Sequence, residues 1–170
     1  LFELLDAEFR FSLDASASSW DHLTPNYLDE DLDGLSVVWF RRVFVNPPYG
    51  RELGRWMKKA YLSSRAGATV VCLVPARTDV RWWHDYAMRS SEIRFVRGRL
   101  GFDDRKGRAP FPSCVVVFRY GDEDARISTI CRPGAEPASQ ERLPALAPEI
   151  RHLRELQRRN RYALRLESLQ

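Results

Sequence analysis

At 170 residues, 44% of them hydrophobic and 29% charged, the chain has the size of one globular domain with a real core and an appendage left over. The balance of 27 Lys and Arg against 23 Asp and Glu leaves +4, which permits a polyanionic partner without demanding one. No apolar stretch approaches the roughly 18 residues of a membrane span, no basic-then-apolar leader opens the chain, and three cysteines without metal-ligand or pairing pattern (Cys72, Cys114 and Cys131) argue for a reducing cytosol over a disulfide framework.

In chain order, Leu1 to Glu8 predicts a short helix. Phe9 to Ala15 alternates Phe9, Phe11 and Leu13 against Arg10, Ser12 and Asp14, which is a strand period. A turn of small residues, Ala15-Ser16-Ala17-Ser18-Ser19, follows, and small side chains let a ligand approach backbone. There is no G-x-G here, so Asp14 reads either as a ligand contact or as a turn or helix-capping aspartate. Trp20 to Gly34 is polar. Its four acids between Asp29 and Asp33 lack the spacing of a calcium loop and its closing glutamate, so a solvated loop is expected. Only about 25 residues separate this turn from the next apolar run, too few for the usual early strands of a doubly wound fold.

Val43-Phe44-Val45 predicts a buried parallel strand, and Asn46-Pro47-Pro48-Tyr49-Gly50 must end it, because neither proline offers an N–H to a ladder. The strand's carboxyl end then carries the Asn46 side-chain carbonyl, the Pro47 backbone carbonyl and the Tyr49 ring. Pro48 holds Pro47 extended, so the turn is stiff in advance. An exocyclic amine is a poor nucleophile while its lone pair is delocalised. Two rigid acceptors for its two hydrogens would draw the nitrogen towards tetrahedral geometry, and a stacked ring would hold a planar substrate in line. The plainer reading is a proline-rich turn with Tyr49 on the surface.

Arg51 to Arg65 predicts a helix burying Leu53, Trp56, Met57, Ala60 and Tyr61, closed by Gly67. Thr69 to Val74 is a second strand parallel to the first, with Arg77 at its ligand-facing end. Trp82, Trp83 and His84 begin a helix; the paired tryptophans read as core, with stacking on a displaced base as the alternative, and a catalytic base at His84 is disfavoured because the chemistry needs no strong base. After a short strand over Ile93 to Val96, the loop carries Arg97, Arg99, Arg105, Lys106 and Arg108 against Asp103 and Asp104. It is a candidate for gripping phosphate, with a solvated charged loop as the competing view. Cys114 to Tyr120 is expected as the last strand, antiparallel or at an edge. The domain is expected over 1–120, a proline-punctuated linker over 121–148, and a helix over 149–170. From Glu141 the chain holds seven arginines against four glutamates, which suits a short dimer helix or a DNA backbone contact, so a monomer or weak homodimer is expected.

Taken in order, Asn46-Pro47-Pro48-Tyr49, Phe11-Ser12-Leu13-Asp14-Ala15, Asp33-Gly34-Leu35, Trp39, Val74-Pro75-Ala76-Arg77-Thr78-Asp79 and Ala109-Pro110-Phe111-Pro112-Ser113 resemble the phage-type Dam-like DNA N6-adenine methyltransferases. The resemblance covers about residues 1 to 120. It implies a compact Rossmann-like α/β domain using S-adenosylmethionine and acting on a flipped adenine in double-stranded DNA, in a bacterial host cytosol, as a phage or prophage modification enzyme. It assigns catalysis to Asn46, Pro47, Pro48 and Tyr49, and cofactor contacts to Asp14, Ala15, Asp33 and Asn46. Arg77, Arg97, Arg99, Arg105, Lys106 and Arg108 would meet DNA, and no metal is implied. The chain starts at Leu1 without the Thr-Pro that the family carries before the equivalent of Phe2, so a preceding segment lining the cofactor pocket is expected. The motif equally allows methylation of RNA or of a protein amide, and an inactive DNA-binding module is a third reading.

Overall fold

The computed structural model of the chain describes residues 1–103, 107–131 and 134; the helix expected over 149–170, with the rest of the linker, lies outside the described residues. A six-stranded sheet forms the middle layer. Its strands are β1 (Leu13–Asp14), β2 (Arg42–Val45), β3 (Thr69–Pro75), β4 (Glu92–Arg97), β7 (Ser113–Phe118) and β8 (Arg126–Cys131), in the order β1-β2-β3-β7-β4-β8. β1, β2 and β3 pair in parallel, β7 runs antiparallel to both β3 and β4, and β8 is parallel to β4. Every strand but β7 therefore points the same way, the compact Rossmann-like α/β architecture expected. A separate two-stranded ribbon, β5 (Gly101–Asp103) with β6 (Gly107–Arg108), occupies the basic loop.

Strand alternation sorts the core into two faces. Val43, Val45, Val70, Cys72, Val74, Cys114 and Val116 pack under helix α2 (Leu53–Arg65), through Leu53, Trp56, Met57 and Ala60, and under Trp83 of α3 (Arg81–Asp85). Phe44, Val71, Leu73, Val115 and Val117 pack under helix α1 (Phe2–Phe9), through Leu5 and Phe9. Helix α2 supplies the crossover that parallel β2 and β3 require, and Gly67, at φ 103°, turns the chain out of it.

Three expectations are corrected. Phe9 ends α1 instead of beginning a strand: Arg10 turns left-handed at φ 52° and donates its N–H to the Asp6 carbonyl, a helix-stop geometry. The alternating aromatics serve a cluster in which Phe2, Phe9, Phe11 and Phe44 meet, so β1 shrinks to two residues. The strand at Ser113–Phe118 is antiparallel, one of the two expected arrangements, but it is interior, buried at all six positions between two neighbours, and not the last strand. The segment expected as linker from 121 begins with β8, which continues the sheet beyond β4. Its outward-facing residues are mostly exposed, so it carries no apolar run to betray it.

Helix α1 is also tied by charge to the sheet face it covers. Arg94 on β4 reaches Glu8 through two hydrogen bonds of 2.5 and 2.7 Å and Glu92 at 2.8 Å, and Arg119 also pairs with Glu92. Both guanidinium groups lie over the Phe9 ring. Among the described residues, no helix is long and apolar enough to cross a membrane.

Candidate active site

The carboxyl end of β2 is where sequence and fold converge. Val45 is paired with Cys72, and the ladder ends there because the prolines bring no donor. Asn46 is then fixed twice. Its backbone N–H donates to Ser16 Oγ at 2.7 Å, and its side-chain Oδ1 accepts from the Tyr49 hydroxyl at 2.7 Å. The Tyr49 hydroxyl has one proton to give; the Leu73 carbonyl stands further off at 3.2 Å. Pro47 is buried and Pro48 exposed, and no backbone donor among the described residues occupies the Pro47 carbonyl. Burial first, then the neighbouring Cys114 and Cys72, push the Tyr49 hydroxyl far above its ordinary pKa, so it stays a donor. The ring meets Phe111 edge-on at 5.5 Å.

Two open cavities meet at Asn46. One, of about 520 Å³, is lined by Ser16, Trp20, Asp29, Glu30, Asp33 and Trp56 together with Asn46 and Pro48. The other, of about 440 Å³, lies against α1 and is lined by Phe2, Leu5, Phe44, Leu73 and Arg99 together with Asp21 and Asn46. Both volumes are those of small-molecule sites.

The expected cofactor residues divide. Asp33 lines the acidic cavity; its carboxylate accepts from Ser36 and from the Leu35 N–H, which hold it below the usual carboxylate range. Asp14 does not reach either cavity. It is 4% exposed, and its carboxylate accepts from the N–H groups of Leu23 at 3.1 Å and Ser16 at 3.4 Å. Burial raises its pKa and those two donors pull against the rise. Asp14 thus takes the turn-capping role that the sequence also allowed. Ala15 is fully buried and donates to the Phe44 carbonyl. Its own carbonyl lies so close to Gly34 that a Cβ there would stand 2.2 Å away, and 2.9 Å from the Trp56 ring. Asp33-Gly34 is thereby seated on the β1 turn, with Trp39 Nε1 donating to the Gly34 carbonyl at 2.8 Å.

Of the expected DNA contacts, Arg77 is exposed just past β3 and Arg97 at the end of β4, while Arg99 is exposed and lines the second cavity. Arg105 and Lys106 lie outside the described residues, as does the side chain of Arg108 in β6. Trp83 is core, and Trp82 packs against it, as expected. Among the described residues no three His, Cys, Asp or Glu side chains come together as a metal site.

The sequence reading passed over Ser16, Trp20, Asp29, Glu30 and Trp56 as site residues. Ser16 left a signal as a hydroxyl in the small-residue turn, and Asp29 and Glu30 as part of the acid cluster taken for a solvated loop; Trp20 and Trp56 come to the cavity through tertiary placement of a polar loop and a helix.

The sequence profile of the DNA N-6-adenine-methyltransferase (Dam) family matches residues 1–138. No individual curated protein matches the chain. A crystal structure described as a predicted O-methyltransferase, protein Atu636 from Agrobacterium tumefaciens, is similar at 18% identity over 65% of this chain and 57% of that one, with a TM-score of 0.38. With the profile spanning most of its length, and the Asn46 turn at the end of an interior parallel strand, the chain belongs to the family of DNA N-6-adenine methyltransferases.

Proposed function

We propose that this chain methylates adenine N6 in DNA, with S-adenosylmethionine in the acidic cavity and the target base entering from the side of the second. The observation that carries the reading is the placement of Asn46: clamped at backbone and side chain, followed by a Pro47 carbonyl that no backbone donor among the described residues occupies, and lining both cavities.

The acidic cavity fits such a cofactor by its donor set. The carboxylates of Asp29, Glu30 and Asp33 suit ribose hydroxyls and cationic groups, the indoles of Trp20 and Trp56 suit a purine, and the Ser16 hydroxyl supplies a neutral donor beside Asn46. The bound cofactor would supply an electrophilic methyl whose bond to sulfur breaks as the bond to N6 forms, leaving the thioether. The chain's own residues do the rest. Asn46 Oδ1 keeps a lone pair beyond the one given to Tyr49, and with the Pro47 carbonyl it takes the two amine hydrogens, so the nitrogen lone pair is free to attack. Tyr49 stacks on the base, which is swung out of the duplex because N6 inside the stack cannot meet the methyl in line. Arg99 at the rim of the second cavity, with Arg77 and Arg97, holds DNA phosphate. After transfer, the extra amine proton leaves to solvent. Modification of phage or host DNA is the setting we assign.

Purified protein is incubated with unmethylated plasmid DNA and methyl-labelled S-adenosylmethionine, and the digested nucleosides are separated by mass. Label in N6-methyladenine is expected, at least about a hundred-fold less of it with Asn46→Ala, and an unchanged melting profile for that variant. Label in RNA or protein but not DNA would reassign the substrate, and full activity in Asn46→Ala would overturn the mechanism.

A further inference from the structure

The loop that lines the cofactor cavity and the strand end that holds the amine acceptors are joined by one hydrogen bond. Ser16 Oγ accepts the Asn46 backbone N–H at 2.7 Å across 30 residues of sequence. A serine hydroxyl has two lone pairs and one proton. Here one lone pair is engaged, and among the described residues no acceptor takes the proton. Ser16 also lines the acidic cavity, so that proton has the cavity as its destination.

Behind Ser16 stands Asp14, whose buried carboxylate accepts the Ser16 N–H at 3.4 Å and the Leu23 N–H at 3.1 Å. The loop is therefore held from its buried side while its hydroxyl faces the site. We infer that Ser16 is a positioning residue that couples the two halves of the reaction: its proton goes to the carboxylate of the cofactor's amino-acid end, while its oxygen fixes the backbone of Asn46.

This rests on the proposed function, and the choice of group follows from charge and distance. The reacting methyl must lie beside Asn46, and the amino-acid arm leaves from the same sulfur. Asp21, Asp29, Glu30 and Asp33 repel an anion and suit the hydroxyl-bearing half; Ser18 also lines the cavity but gives its proton to the Asp21 carbonyl at 3.4 Å, so Ser16 is the serine hydroxyl left for the carboxylate. A hydroxyl that donates to an anion becomes a better acceptor, because hydrogen bonds in a chain polarise one another. Cofactor binding then tightens the bond to Asn46 N–H and settles Asn46 and Pro47 before the base arrives.

The test uses the whole chain, wild type, Ser16→Ala and Ser16→Thr, with two non-reacting probes. S-adenosylhomocysteine carries the amino-acid arm, and methylthioadenosine lacks it. Calorimetry should show Ser16→Ala binding S-adenosylhomocysteine about ten-fold more weakly, methylthioadenosine equally well, and Ser16→Thr restoring affinity. With ¹⁵N-asparagine labelling, the Asn46 amide resonance should move when S-adenosylhomocysteine is added to wild type or Ser16→Thr, and stay put in Ser16→Ala. Wild type that binds neither probe overturns the cofactor reading and this inference with it. Wild type that binds S-adenosylhomocysteine with the Asn46 amide unmoved, or a Ser16→Ala loss equal for both probes, overturns the inference alone.

Discussion

Replacing Tyr49 by Phe removes one oxygen and keeps the ring, so it separates the hydroxyl's role from stacking. The hydroxyl donates to Asn46 Oδ1 at 2.7 Å and stands 3.2 Å from the Leu73 carbonyl. One such bond is worth about 0.5–1.5 kcal/mol net, and the longer contact to the carbonyl of buried Leu73 adds to that. A stability loss of about 1–2 kcal/mol follows, or about 3–6 °C in melting temperature for a chain of this length. For the reaction, the Asn46 amide loses the partner that fixes its carbonyl direction. An acceptor disordered by about 1.4 kcal/mol costs about ten-fold in rate. Single-turnover transfer to an oligonucleotide at saturating cofactor should therefore slow about ten-fold in Tyr49→Phe, with DNA affinity within about two-fold of wild type. Tyr49→Ala should in addition lose base stacking of about 1–3 kcal/mol and bind the target more weakly. A Tyr49→Phe variant with wild-type turnover would show that the hydroxyl does not orient Asn46. One with weakened DNA binding and unchanged turnover would move its role to recognition.

Gly34→Ala should cost about 1–3 kcal/mol, because its Cβ meets a backbone carbonyl at 2.2 Å that cannot rotate away. It should also weaken S-adenosylhomocysteine binding by displacing Asp33 and Trp56, and calorimetry giving wild-type affinity would detach Gly34 from the cavity's shape. In acid, the Arg94 hydrogen bonds lower the Glu8 pKa. Burial opposes ionisation of Glu92, yet its Arg119 and Arg94 partners outweigh that and lower it too. Depressed carboxylates contribute stability above their ordinary value of 4.5 and lose it as pH falls through the folded values. Melting temperature should thus drop more steeply below about pH 4.5 in wild type than in Glu92→Gln, whose amide does not titrate; parallel curves would refute that role for the network. Asp14 works in the other direction, since a raised pKa gives stability that is present in acid and lost as pH rises through it.

What the sequence determined by itself is local and chemical. Val43 to Val45 could only be a buried strand, two prolines had to stop it after Asn46, and α2 follows from the spacing of Leu53, Trp56, Met57 and Ala60. These are short-range rules of periodicity and of missing donors, and they place the Asn46 turn without further help. Tertiary structure decided which groups share a cavity. Asp14 and Asp33 look alike as acids beside small residues, yet one is sealed under two backbone donors and the other lines the site. Ser16 reaches Asn46 only because β1 pairs in parallel with β2, bringing residues 30 positions apart to hydrogen-bonding distance. Edge strand β8 escaped notice for the complementary reason: with mostly exposed side chains, it is held by its ladder to β4, and backbone pairing leaves little mark on the sequence.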